Sequence, residues 1–246
     1  MTGSVSVTAK EAQTALRAAA NPEKAAFFPR FFKAGPGQYA EGDKFLGVTV
    51  PQQRLIVKQF QALSLSEVEK LVTGEWHEER LTGLLILVAQ YKKGDDAIKK
   101  ACYDFYLAHA ANINNWDLVD SSAEFIVGPW LDTYNPSGKM VVLRKLAHSK
   151  SLWERRIAML ATFAYIKNGR ADEALEIAEL LLHDSHDLIQ KAVGWMLREL
   201  GKRVDRALLL AFLDEHAATM PRTTLRYAIE HLDVDSRRHY MSQRQK

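Results

Sequence analysis

The chain of 246 residues has a single cysteine, Cys102 in the segment KKACYDFY. A lone thiol excludes a disulfide scaffold, and with no C-x-x-C or histidine-rich neighbour it reads as a buried apolar side chain in a reduced setting. No apolar run approaches the roughly 20 residues that span a bilayer, and no charged start is followed by an apolar stretch, so a cytoplasmic protein without a membrane partner is expected. Strand-type alternation is missing too, since FLGVTVP (45–51) is short and ends in Pro51. The chain contains no G-x-x-x-x-G-K-[ST], G-x-G-x-x-G or G-x-S-x-G stretch, so nothing points to a nucleotide cofactor or a serine hydrolase. HEER (77–80) and HDSHD (183–187) lack a complementary ligand cluster, so they read as surface or turn segments and no metal is expected.

Amphipathic helices fill the space left by these absences. Apolar residues return at spacings of three and four in EERLTGLLILVAQYKK, WERRIAMLATFAYIKN and DLIQKAVGWMLRELGK. Breaks are expected at AGPGQYAEGDK (34–44), NPSG (135–138), NG (168–169) and G-K-R (201–203), with Pro51, Pro136 and Pro221 in the first turns of their helices. Trp76, Trp116, Trp153 and Trp195 are separated by 40, 37 and 42 residues, and each is followed three or four positions later by a charged residue. A period near 40 with two helices per unit is the mark of HEAT-like repeats. The expected fold is all-α, a curved right-handed solenoid of HEAT-like antiparallel helix pairs with a concave basic groove, in a single domain over 1–246.

A formal charge of +3 is too small to advertise a polyanion partner, but its distribution is uneven. Residues 171–187 hold six acids and no lysine or arginine, whereas 191–206 hold five bases against two acids and 144–156 five bases against Glu154 alone. Sorting of sign by helix suggests an acidic helix facing outward and a basic one, carrying Trp195 and Arg198, lining the concavity. Arginines interleaved with indoles suit a phosphate backbone, and a peptide groove is the competing use of the same architecture.

Chemistry concentrates in INNWDLVDSS (113–122), which contains no lysine or arginine. Trp116 stands four residues before Asp120, so on a helix the two share a face. Asp117 points about 100° away around the helix and reads as structural, a cap or a partner to a basic residue.

Five stretches, NPEKA (21–25), YAEGDKFLGVTVPQQR (39–54), NNWDLVD (114–120), SLWERRIAML (151–160) and IQKAVGWMLRE (189–199), resemble the DNA alkylation repair glycosylases of the AlkD type and follow that family's order. The resemblance implies a HEAT-like solenoid that excises cationic N3- or N7-alkylated purines, such as 3-methyladenine and 7-methylguanine, by hydrolysing the N-glycosidic bond. It implies no metal or organic cofactor, and its partner is double-stranded DNA containing alkylated bases, bound by a monomer. Asp120 matches the family's catalytic aspartate, Trp116 and Trp195 its two nucleotide-gripping indoles, and Arg156 a groove arginine on phosphate. Arg198 is a second phosphate candidate, and Trp153 is either a DNA contact or packing. No Schiff-base lysine is identified, so strand cleavage is not expected, and neutral lesions such as uracil should be left alone. The basic C-terminal RRHYMSQRQK (237–246) is expected to touch DNA only incidentally. The alternative is a non-catalytic HEAT-like DNA-binding protein or a protein-binding scaffold.

Overall fold

A computed structural model describes residues 7–243 and is all-α, with no strand among the described residues. Residues 45–49 of FLGVTVP are extended without sheet partners, Val50 and Pro51 already belong to a helix, and an isolated bridge pairs Lys44 with Trp76 just outside the segment. No helix among the described residues is long and apolar enough to cross a membrane. The chain packs as two compact units, Met1–Ser122 and Ala123–Lys246.

In the first unit, α1 (Ala9–Ala18), α2 (Pro22–Phe31), α3 (Val50–Phe60), α4 (Leu65–Val72), α5 (His77–Lys93) and α6 (Asp96–Ala108) lead through a 3-10 turn, Ala110–Asn112, to the short α7 (Trp116–Asp120). Side-chain caps start most of them: Thr8 and Glu11 close a capping box on α1, and Asn21, Ser64 and Asp95 cap α2, α4 and α6. Pro51 sits in the first turn of α3, as expected. The centre is α5, buried over most of its length and packed against α1, α3, α4, α6 and α7. Cys102 on α6 is buried as its neighbours suggested, and burial pushes its thiol up to about 11.

The second unit contains α8 (Ala123–Tyr134), α9 (Lys139–Ala147), α10 (Leu152–Ala161), α11 (Phe163–Lys167), α12 (Asp172–Leu181), α13 (Asp187–Arg203), α14 (Arg206–His216), α15 (Arg222–Ala228) and α16 (Val234–Ser242). Its core lies along α10 and α13, where Ile157–Ala161, Ile189, Ala192, Val193, Met196 and Leu200 are closed to solvent. Gly194 lets α13 approach α15, because a Cβ there would fall 2.4 Å from the Thr224 carbonyl oxygen. The segment RRHYMSQRQK is helical to Ser242, and its residues 244–246 lie outside the described residues.

Several boundaries depart from the sequence reading. The helix expected over WERRIAMLATFAYIKN is divided at Thr162, whose hydroxyl donates to the Met159 carbonyl at 2.7 Å and so competes with the helical ladder. Gly201 does not end α13, which runs on to Arg203 with Leu209 packed onto the glycine. Pro136 lies in the turn between α8 and α9, and Pro221 is the cap residue before α15.

Opposite charges sorted along the chain meet in space. Lys139 and Arg144 of α9 pair with Glu173 and Glu176 of α12, Arg155 binds Asp184 at 2.6 Å, and Arg170 binds Asp132 at 2.6 Å. The acidic stretch is therefore only in part the outward solvated face expected of it: Asp172, Glu179 and Asp187 are exposed, whereas Glu173 is buried and, with Glu176 and Asp184, answers bases on adjoining helices. Blocks of one sign on successive helices are what interhelical pairing needs.

Candidate active site

The five-residue helix α7 is too short to support itself, because one turn of helix fixes more backbone than its few hydrogen bonds repay. It is held from outside. Asn115, fully buried, accepts the Trp116 N–H on its side chain at 2.8 Å, and Leu118 and Val119 are sunk in the core of the first unit. Trp116 and Asp120 are left half-buried, on the wall of a cavity of about 340 Å³ that Phe28, Phe31, Phe32 and Val48 also line. The indole is backed by aromatic rings: Phe32 stacks on it with centroids 5.6 Å apart, and Phe31 meets it edge-on at 5.8 Å. The expectation that Trp116 and Asp120 share one face is met at this cavity.

HEER, read from sequence as a surface or turn segment, is instead the buried first turn of α5, with His77, Glu78, Glu79 and Arg80 each at most 5% exposed. Each of the four has a partner. Glu78 accepts the backbone N–H groups of Leu46, Gly47 and Val48 at 3.0, 2.8 and 3.2 Å, which ties the extended segment to α5 beside the cavity. Gly47 makes that approach possible: its φ is +79°, and a Cβ would fall 2.2 Å from the Asn21 carbonyl oxygen. Glu79 takes Arg17 at 2.9 Å, and Arg80 donates to Asp43 at 2.7 Å.

His77 joins two carboxylates. Its Nε2 lies 2.8 Å from Asp117 Oδ2 and its Nδ1 3.3 Å from Asp43 Oδ2, with the rings of Phe32 and Phe45 at 4.6 and 5.1 Å. Burial alone would pull the imidazole down, but the charge and hydrogen bond of Asp117, reinforced by Asp43, override it and raise His77 to about 9. Asp43 is likewise opposed by burial, and His77 and Arg80 hold its carboxyl below the ordinary value. Asp117 is thus structural, as expected, with histidine as its basic partner. His77 and Glu78, which line the cavity, were missed in the sequence. A signal existed: four consecutive charged residues open a helix whose apolar residues leave no polar face, so that turn has to be buried and internally paired.

The candidates of the second unit stand differently. Trp195 on α13 is half-buried, 5.9 Å from the ring of Phe163, over which Lys167 and Arg203 lie at 4.4 and 5.4 Å. Arg198 pairs with Glu230 and, at 3.3 Å, with Glu199. Arg156 is 4% exposed and donates through Nη1 to the Leu188 carbonyl, so it does not stand as a free surface cation in this structure. Trp153 is buried and counts among the core side chains, which favours packing over a DNA contact. A further cavity of about 390 Å³, bounded by the end of α5 and the start of α6, is lined by Leu63, Leu65, Ile98 and Cys102 and brings no carboxylate to its wall.

Fold and cavity together define an all-α protein whose candidate site sets a carboxylate and an indole on one cavity wall, the indole backed by phenylalanines. The chain belongs to the DNA alkylation repair enzyme family, whose model matches residues 12–232. Among solved structures it is similar to a chain described as "Predicted DNA alkylation repair enzyme from Enterococcus faecalis". The two are 18% identical, the match covers 87% of this chain and 97% of that one, and the TM-score is 0.68, a likeness of fold alone. No curated protein matches the chain. Family membership gives the protein a role in the repair of alkylated DNA.

Proposed function

We propose that this protein is a monofunctional DNA glycosylase that removes cationic N3- and N7-alkylated purines and leaves an abasic site. The observation that carries the reading is the pairing of Trp116 and Asp120 on one cavity wall, within a family of alkylation repair enzymes.

An N7-alkylated guanine already bears positive charge, so it departs without a proton from a general acid. What remains is the deoxyribose, which gains oxocarbenium character as its bond to the base lengthens. Asp120 stabilises that charge and orients the attacking water. The face of Trp116, stiffened by Phe32 and Phe31, packs against the sugar and attracts its growing charge while excluding water that would screen the carboxylate. One carboxylate suffices because the lesion supplies its own activation. Trp195 is proposed as a second indole gripping the nucleotide, a role supported by the likeness of IQKAVGWMLRE to the family's stretch. Arg198, released from Glu230, is the proposed phosphate contact of the same helix. Arg156 is retained as a phosphate contact only insofar as it leaves the Leu188 carbonyl.

The test is incubation, without added metal, with duplex DNA containing one 7-methylguanine, followed by measurement of the free base. Release above the protein-free rate is expected, with none from a uracil duplex. No release leaves the non-catalytic DNA-binding reading in its place. Asp120→Asn is expected to lower the single-turnover rate by about a hundredfold or more with affinity largely kept; an unchanged rate removes Asp120 from the chemistry.

A further inference from the structure

Arg80, Asp43, His77 and Asp117 form a buried row in which positive and negative groups alternate, running from α5 through the 34–44 loop and back through α5 to α7. Gly42, at φ +86°, turns the loop so that Asp43 faces inward. The row ends one residue from Trp116 and three from Asp120. Asp117 borders the cavity, but its Oδ2 is engaged by His77 and its Oδ1 is shut away from solvent, so neither oxygen is presented to a substrate. The row therefore acts on α7 itself.

We propose that His77 is a positioning residue: bonded to Asp43 behind and Asp117 ahead, it clamps the first turn of α7 and so sets the direction in which Trp116 and Asp120 face the cavity. This rests on the glycosylase reading for its catalytic consequence, though not for the clamp. Both ring nitrogens face carboxylates, and only the imidazolium donates from both. The charged groups facing His77 are Asp117 from α7, Asp43 from the loop and Arg80 from its own helix, while Phe32 and Phe45 close the remaining sides with apolar rings. Loss of the proton near pH 9 turns one of the two bonds off and leaves a carboxylate buried without a cation. The helix then keeps its Asn115 cap and the buried Leu118 and Val119, but its first turn has lost the bond that fixes its direction.

Two variants separate the clamp from general stability. Asp117→Asn keeps shape and an acceptor for His77 but removes the charge; His77→Gln removes the imidazolium. In the full chain, hydrogen exchange of the peptide covering 116–121 is expected to quicken in His77→Gln more than in the rest of the first unit. Single-turnover release of 7-methylguanine, corrected for protein-free release, is expected to fall about tenfold or more in Asp117→Asn, because small misplacements of reacting groups are costly. Affinity for the lesion duplex should stay within about twofold. In Asp117→Asn the alkaline limb of the rate profile should also move to lower pH, by about a unit or more, because His77 has lost the carboxylate that raised it; a merely structural residue leaves that limb where it was. Unchanged exchange at 116–121 in both variants overturns the clamp, and unchanged rates with loosened exchange overturn its link to catalysis. Where the unaltered protein releases no base, the glycosylase reading falls, and exchange at 116–121 alone decides the clamp.

Discussion

At the scale of single residues, the same side-chain type does opposite work according to burial. Asp120 and Asp117 are three positions apart on one short helix, yet Asp120 stands half-buried on the cavity wall while Asp117 is turned into a bond with His77. Arg156 shows the same division among cations. Its side chain is buried, and Nη1 donates to the Leu188 carbonyl. Arg156→Ala is accordingly expected to lower stability by about 1–3 kcal/mol, the cost of a buried acceptor left without its charged donor, read as a shift in the urea midpoint. An unchanged midpoint would mean that the arginine is held there loosely and is available to phosphate.

At the scale of elements, the extended segment 45–49 and the helix α7 both depend on the first turn of α5. Three backbone N–H groups of the segment converge on the Glu78 carboxylate, so Glu78→Ala strands three buried donors at once. We expect a loss on the order of 3 kcal/mol or more, visible as a lowered thermal midpoint, whereas a shift of only a degree or so would show that the segment is anchored elsewhere. His77 adds a pH dependence. Its pKa is raised from 6.5 to about 9, so its contribution is fully present below about pH 6.5 and is lost as pH rises through 9. The raised value corresponds to about 3 kcal/mol, so the thermal midpoint should decline between pH 7 and 10, and the decline should be shallower in Asp117→Asn. Asp43 works with the opposite sign: its lowered pKa gives stability above the ordinary carboxylate range that is lost as pH falls.

At the scale of the whole molecule, the formal charge of +3 conceals how many cations are already answered. Lys139, Arg144, Arg155, Arg170, Arg198, Arg203 and Arg206 all lie in ion pairs. Where both partners are exposed, as in Arg144–Glu176 and Arg206–Asp233, such pairs contribute little to stability, so DNA phosphates can compete for these cations at small cost. Arg198 and Glu230 offer the clearest test. Glu230→Ala leaves the arginine with Glu199 alone and is expected to tighten binding to duplex DNA and to steepen the salt dependence by about one phosphate contact. An unaltered slope would take Arg198 out of the DNA interface.

Much of this was legible in the chain alone. Helical periodicity, the missing strand alternation and the capping residues determined an all-α protein, because burying an apolar stripe every 3.6 residues is a local requirement that each segment states for itself. The four-residue spacing of Trp116 and Asp120 determined that they share a face, and five short stretches carried the family. What only the tertiary structure decided were relations between distant segments: that HEER is a buried keystone, that Asp117 belongs to His77, that Arg156 and Trp153 lie inside, and that blocks of opposite charge cancel across adjoining helices. The physical reason is that a charged side chain has the same pattern in sequence whether water or a partner forty residues away solvates it, and only packing chooses between the two.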